Sequence, residues 1–92
     1  MKYEFHLDPE TGEPHLATHG VSEQEALDVL EEAELVLKGS GETMVAHGQT
    51  RDGRWLRVVY VERPPGNLRI ITAYTPGPKA IRAIRRRVRK KP

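Results

Sequence analysis

The sequence contains no cysteine, one tryptophan, one phenylalanine, one asparagine and two glutamines. Without cysteine there is no disulfide framework, no thiolate metal site and no Cys nucleophile. No run approaches the roughly 18 apolar residues that a membrane span needs. The first residues are acidic and mixed rather than basic and then apolar, so no signal peptide is expected. The expectation is a soluble, cytoplasmic protein that does not engage membrane. At 92 residues and 37% hydrophobic content, the chain makes one small domain, residues 1–92, with a thin core.

The net charge of +2 conceals an uneven distribution. Residues 1–46 carry two positive charges, Lys2 and Lys38, against eleven negative ones. Residues 47–92 carry thirteen positive charges against Asp52 and Glu62. Such asymmetry points to a polyanion-binding face, an acidic partner, or both. Mutual neutralisation within one fold explains part of it, but not the dense run from Arg85 to Lys91. Arginine outnumbers lysine ten to five, which fits a thermophilic source or a high-GC genome equally well.

Tyr3, Phe5 and Leu7 alternate with Glu4 and His6, a half-buried strand pattern. Pro14 to His19 has the outline of a short helix stopped by Gly20. Ser22 and Glu25 form a capping box that opens a helix over about 22–34, with Ala26, Leu27, Val29, Leu30 and Ala33 on one side. Residues 35–38 read as a short strand or helix exit. Strands follow over 43–50, 54–63 and 68–74, separated by Asp52-Gly53 and Pro64-Pro65-Gly66-Asn67. A basic helix over 78–89 and a tail to 92 close the chain. The expected fold class is α+β. A small antiparallel sheet, a meander of three to four strands plus an N-terminal strand, carries two N-terminal helices and a C-terminal basic helix.

The ordered set Phe5-His6-Leu7-Asp8, Thr18-His19-Gly20-Val21-Ser22, Glu25-Ala26, His47-Gly48, Asp52-Gly53-Arg54, Val58 to Arg63 and Arg69 to Tyr74 resembles the BrnT family of bacterial toxins. That family lies within the RelE/ParE-like superfamily, and the resemblance covers about residues 5–74. The chain departs from the family pattern at Leu7, Thr11, His15, Thr18 and Tyr74, where the family has Trp, Lys, Asn, Lys and Arg. The ending Ile70-Ile71-Thr72-Ala73-Tyr74 is more similar to the uncharacterised DUF4258 proteins.

The resemblance implies a RelE-like fold and the toxin half of a type II toxin–antitoxin system. Such a toxin is an endoribonuclease that cuts mRNA without a metal or other cofactor, with the ribosome as a possible setting. Its partners are RNA and an antitoxin, a small DNA-binding protein. Attack of a 2′-hydroxyl on the adjacent phosphate needs a base, a proton donor for the leaving oxygen and positive charge on the phosphorane. His47, Arg57, His19 and Tyr74 are the candidate catalytic residues. A purely structural role for His19, holding the turn into the next helix, competes with catalysis. His15 and His19, spaced i and i+4, would share a helical face, but no third metal ligand accompanies them. Arg54, Arg63 and Arg69 on the sheet and the ridge Arg82, Arg85, Arg86 and Arg89 are the candidate RNA contacts. Tyr60 and Tyr74 are candidate base-stacking residues. Two non-enzymatic expectations stand beside this one. The first is a non-catalytic binding module that keeps the sheet and a partner surface. The second is a nucleic-acid binder that uses only the last helix.

Overall fold

A computed structural model describes residues 2–89. In chain order it has β1 (Lys2–Phe5), a 3-10 turn (His15–His19), α1 (Glu23–Glu31), β2 (Leu35–Lys38), β3 (Thr43–Gln49), β4 (Trp55–Arg63), β5 (Asn67–Tyr74) and α2 (Pro78–Arg89). The expected tail, with Lys90 and Lys91, lies outside the described residues.

The five strands form one sheet in the order β1-β5-β4-β3-β2. The meander β2 to β5 is antiparallel throughout, but β1 pairs with β5 in parallel. The sheet is therefore mixed, which corrects the antiparallel expectation. Turn residues dictate direction only for strands that they join. β1 is joined to β2 by the 3-10 turn and α1, which carry the chain to the far edge of the sheet, so no local signal fixed its direction. β1 also stops at Phe5, and Leu7 leaves it to form an isolated bridge with Pro14, 53% exposed. The fold is thus a small α+β arrangement of a mixed sheet and two α-helices.

α1 begins as its capping box requires. The Ser22 hydroxyl accepts from the Glu25 N–H at 3.1 Å, and the Glu25 carboxylate accepts from the Ser22 N–H at 3.0 Å. The helix ends at Glu31, three residues short of the expected boundary, and Glu32 caps it. Gly20 precedes it at φ 70°, a left-handed conformation that glycine adopts without a Cβ penalty. Ala26 and Val29 enter a core with Leu16, Val21, Ala46, Leu56, Val58, Ile70 and Ala73. α1 passes over Gly48, where a Cβ would lie in ordinary contact, 3.4 Å from Val29 Cγ1.

Alternation leaves a second sheet face opposite this core. A register shift between Val59 and Tyr60 adjusts it: Tyr60 pairs with Ile70 and Val59 with Thr72. Tyr60 follows Leu56 and Val58 to the core side by alternation, and the unpaired Ile71 on β5 lets Ile70 join them there, while Thr72 and Tyr74 keep to the other face. α2 lies beside that second face, where Arg85, Val88 and Arg89 share a cleft with Gln49 and Trp55. Ile84 is the one buried residue of α2.

Candidate functional site

The strand register draws a row of side chains across the second face. Leu35 on β2 pairs with His47 on β3, His47 with Arg57 on β4, and Arg57 with Tyr74 on β5. Directly opposed residues share a face, with Cβ atoms roughly 5 Å apart. His47, Arg57 and Tyr74 accordingly line one cleft of about 290 Å³, together with Leu37, Lys38 and Val45. Arg57 Nη1 donates to the Tyr74 hydroxyl at 3.5 Å, and its guanidinium lies 5.7 Å from the Tyr74 ring centre. The His19 ring lies 5.9 Å from that of Tyr74 and 5.5 Å from that of His15. All four candidate catalytic residues thus join one continuous set of neighbours.

His47 is buried, only 4% exposed. Its Nδ1 has no hydrogen-bond partner among the described residues, and neither does Arg57 Nε. Buried polar atoms are ordinarily paired, so two orphans in one row mark a place where a ligand or water is expected. Burial, and then the positive charges of Arg57 and Arg87, hold the His47 pKa below its ordinary value of 6.5. The imidazole is therefore neutral at neutral pH and able to accept a proton.

The same depression links His47 to stability. The unfolded chain binds a proton at His47 at higher pH than the folded chain does. Stability should therefore fall as pH drops from about 6.5 through the folded pKa. Urea midpoints should decline over that range in the native chain and hold steadier in His47→Gln. A separate loss at lower pH belongs to Glu25 and Asp28, whose pKa values are also lowered. For Glu25 the leading cause is the Ser22 backbone N–H, and for Asp28 the Gln24 side chain.

His19 is exposed, and its ring contacts are with His15 and Tyr74. His15 Nδ1 lies 3.9 Å from the Asp8 carboxylate. Among the described residues, no group of three or more His, Asp or Glu is placed to hold a metal ion. The Tyr74 ring already contacts the Arg57 guanidinium and the His19 ring. Tyr60 packs against the core.

The sheet arginines are not gathered at this cleft. Arg54 donates to the Gly20 carbonyl at 3.0 Å, to Glu25 at 3.3 Å and to the Thr75 hydroxyl at 3.1 Å, which ties the β3–β4 turn to the start of α1. Arg63 and Arg69 are exposed at the other end of the sheet, and Arg69 Nη2 lies 3.5 Å from His6 Nδ1. Arg63 is six residues beyond Arg57 on β4, roughly 20 Å along an extended strand. By contrast, Arg82, Arg85, Arg86 and Arg89 are all exposed and surround one cleft of about 280 Å³ on α2. His15–Asp8, Arg51–Asp28 and Arg54–Glu25 form ion pairs away from this ridge.

Lys38 and Leu37 also belong to the cleft; lysine is a phosphate-binding residue type, but nothing in its local sequence sets Lys38 apart. The Gly39-Ser40-Gly41 turn held the signal, because counting back from it sets Leu37 opposite Val45 and Leu35 opposite His47. Among the described residues, no helix is long and apolar enough to cross a membrane.

A family model described as a domain of unknown function (DUF4258) matches residues 14–75, more than half of the chain. No curated protein and no solved structure matches it.

Proposed function

The chain belongs to the DUF4258 family, and on that premise we propose that it is an RNA-cleaving domain of the toxin type, with its reaction centre at His47, Arg57 and Tyr74. The observation that carries this reading is the row itself. A neutral, buried imidazole, a guanidinium and a phenol stand side by side on three adjacent strands and line one cleft.

The chemistry asked of these groups is transesterification. His47 takes the proton of the RNA 2′-hydroxyl, whose oxygen bonds to the adjacent phosphorus. Arg57 neutralises the charge that builds on the phosphorane oxygens. The bond from phosphorus to the 5′-oxygen breaks, and that oxygen takes a proton from the Tyr74 hydroxyl, with exposed His19 as the neighbouring donor. The products are a 2′,3′-cyclic phosphate and a 5′-hydroxyl, and no metal enters the balance. The α2 ridge supplies phosphate contacts away from the reacting bond. An antitoxin, in this reading, is the partner that silences the domain.

Changing Arg82, Arg85, Arg86 and Arg89 together to Gln should leave the circular dichroism spectrum unchanged, since the buried Ile84 is untouched. It should flatten the salt dependence of RNA binding by roughly 0.7 in slope for each phosphate no longer neutralised. An unaltered slope, measured by anisotropy across a salt series, would remove the ridge from the RNA path.

A second reading is a non-catalytic binding module. The contacts of Arg57 and His19 with the Tyr74 ring favour it, because such packing also serves simply to stiffen a sheet face. Induced expression in a bacterium separates the two: growth arrest with loss of mRNA supports the enzyme, and normal growth at high expression supports the module.

A further inference from the structure

We propose that the cleft between β3, β4 and α2 is a nucleobase subsite for single-stranded RNA, in which Trp55 stacks on a base while Arg85 and Arg89 hold the adjoining phosphates. This rests on the RNA reading above, but concerns binding rather than cleavage.

The cleft has a volume of about 240 Å³ and is lined by Glu34, Gln49, Trp55, Arg85, Val88 and Arg89. Trp55 is the only tryptophan in the chain. It is half-buried and belongs neither to the core cluster nor to the residues packed against it. Among the described residues its ring faces no other aromatic ring and no cation over its face. An indole placed off the core, beside two guanidiniums, suits a planar base joined to a phosphate, since every base has a face that stacks.

Position supports the same reading. Arg85 and Arg89 line both this cleft and the ridge cleft, so indole and ridge adjoin. Trp55 precedes Arg57 by two residues on β4 and shares its sheet face, roughly 7 Å away along the strand. A base on Trp55 and a phosphate at Arg57 can therefore belong to one strand of RNA. Gln49, paired with Trp55 in the ladder, gives its Nε2 hydrogen to the Gly53 carbonyl at 2.9 Å, which leaves its side-chain oxygen to accept from a base. Glu34 is the one carboxylate of the lining. An acidic peptide would also answer the arginines but has no use for the indole.

The test is a fluorescence titration of the intact chain, with Trp55 as the intrinsic probe and short single-stranded oligouridylate as the ligand. Saturable quenching is expected, with an affinity that weakens steeply in salt. Trp55→Leu should lower affinity by roughly 5–150-fold, while Trp55→Phe keeps most of it. Arg85→Gln with Arg89→Gln should weaken binding and flatten its salt dependence. A native chain that binds and quenches but leaves the RNA intact fails as a nuclease and not as a base binder, so a failure of cleavage and a failure of base binding are told apart. Unchanged fluorescence where anisotropy shows saturation, or equal affinity of Trp55→Leu and native chain, would make Trp55 a packing neighbour of Val88 and overturn the proposal. So would an absence of RNA binding, or quenching by an acidic peptide in place of RNA. If Trp55→Leu does not fold, the titration of the native chain still decides.

Discussion

His47→Gln and Arg57→Ala should each lower RNA cleavage by roughly 10²–10⁴-fold, the usual contribution of one positioned acid–base or charge-stabilising group. Glutamine is the better replacement at position 47. The imidazole is only 4% exposed, and alanine there would add a cavity to the loss of chemistry. Arg57 is partly exposed, so alanine is tolerable at that position. Cleavage measured on a labelled oligoribonucleotide should fall while the far-ultraviolet circular dichroism spectrum stays native. Parent-level cleavage in both variants would place the reaction elsewhere. His19→Ala should cost less than either. Its ring is exposed and, among the described residues, touches the site only through Tyr74.

Leu56→Ala should produce the largest loss of stability. Leu56 is fully buried near the start of β4, in the core beneath α1. Truncating a buried leucine costs about 2–5 kcal/mol, from the forfeited transfer energy and the cavity left behind. In a domain of this size that is a fall in melting temperature of about 10–30 °C. Val36→Ala is the matching control, since Val36 is 44% exposed on the edge strand β2 and should shift the urea midpoint very little. Equal effects at the two positions would mean that the core is elsewhere.

The elements that carry strong local chemistry were legible from the residues. Ser22 and Glu25 set the start of α1, and the turn residues 51–54 and 64–67 set the meander. Pro78 marked the start of α2. Alternation in β4 sets Trp55, Arg57, Val59 and Val61 on one face, and the ladder register carries the row through Arg57 to His47 and Tyr74. Three features were not legible. The parallel pairing of β1 with β5 depends on a long-range return of the chain, to which neither strand's own pattern speaks. The occupation of Arg54 by Gly20, Glu25 and Thr75 joins positions 21 or more residues apart. The burial of His47 follows from the strands on either side of it rather than from Gly48 next to it. Residue type nominated His47, Arg57 and Tyr74, but only the ladder register sets them in one row.

The most direct measurement is the end chemistry of RNA incubated with the purified chain in excess EDTA. A cleaving site built from His47, Arg57 and Tyr74 gives fragments ending in 2′,3′-cyclic phosphate and beginning with 5′-hydroxyl, and the chelator leaves the rate unchanged. RNA that stays intact at stoichiometric protein, or fragments with 5′-phosphate ends that vanish on chelation, would contradict it.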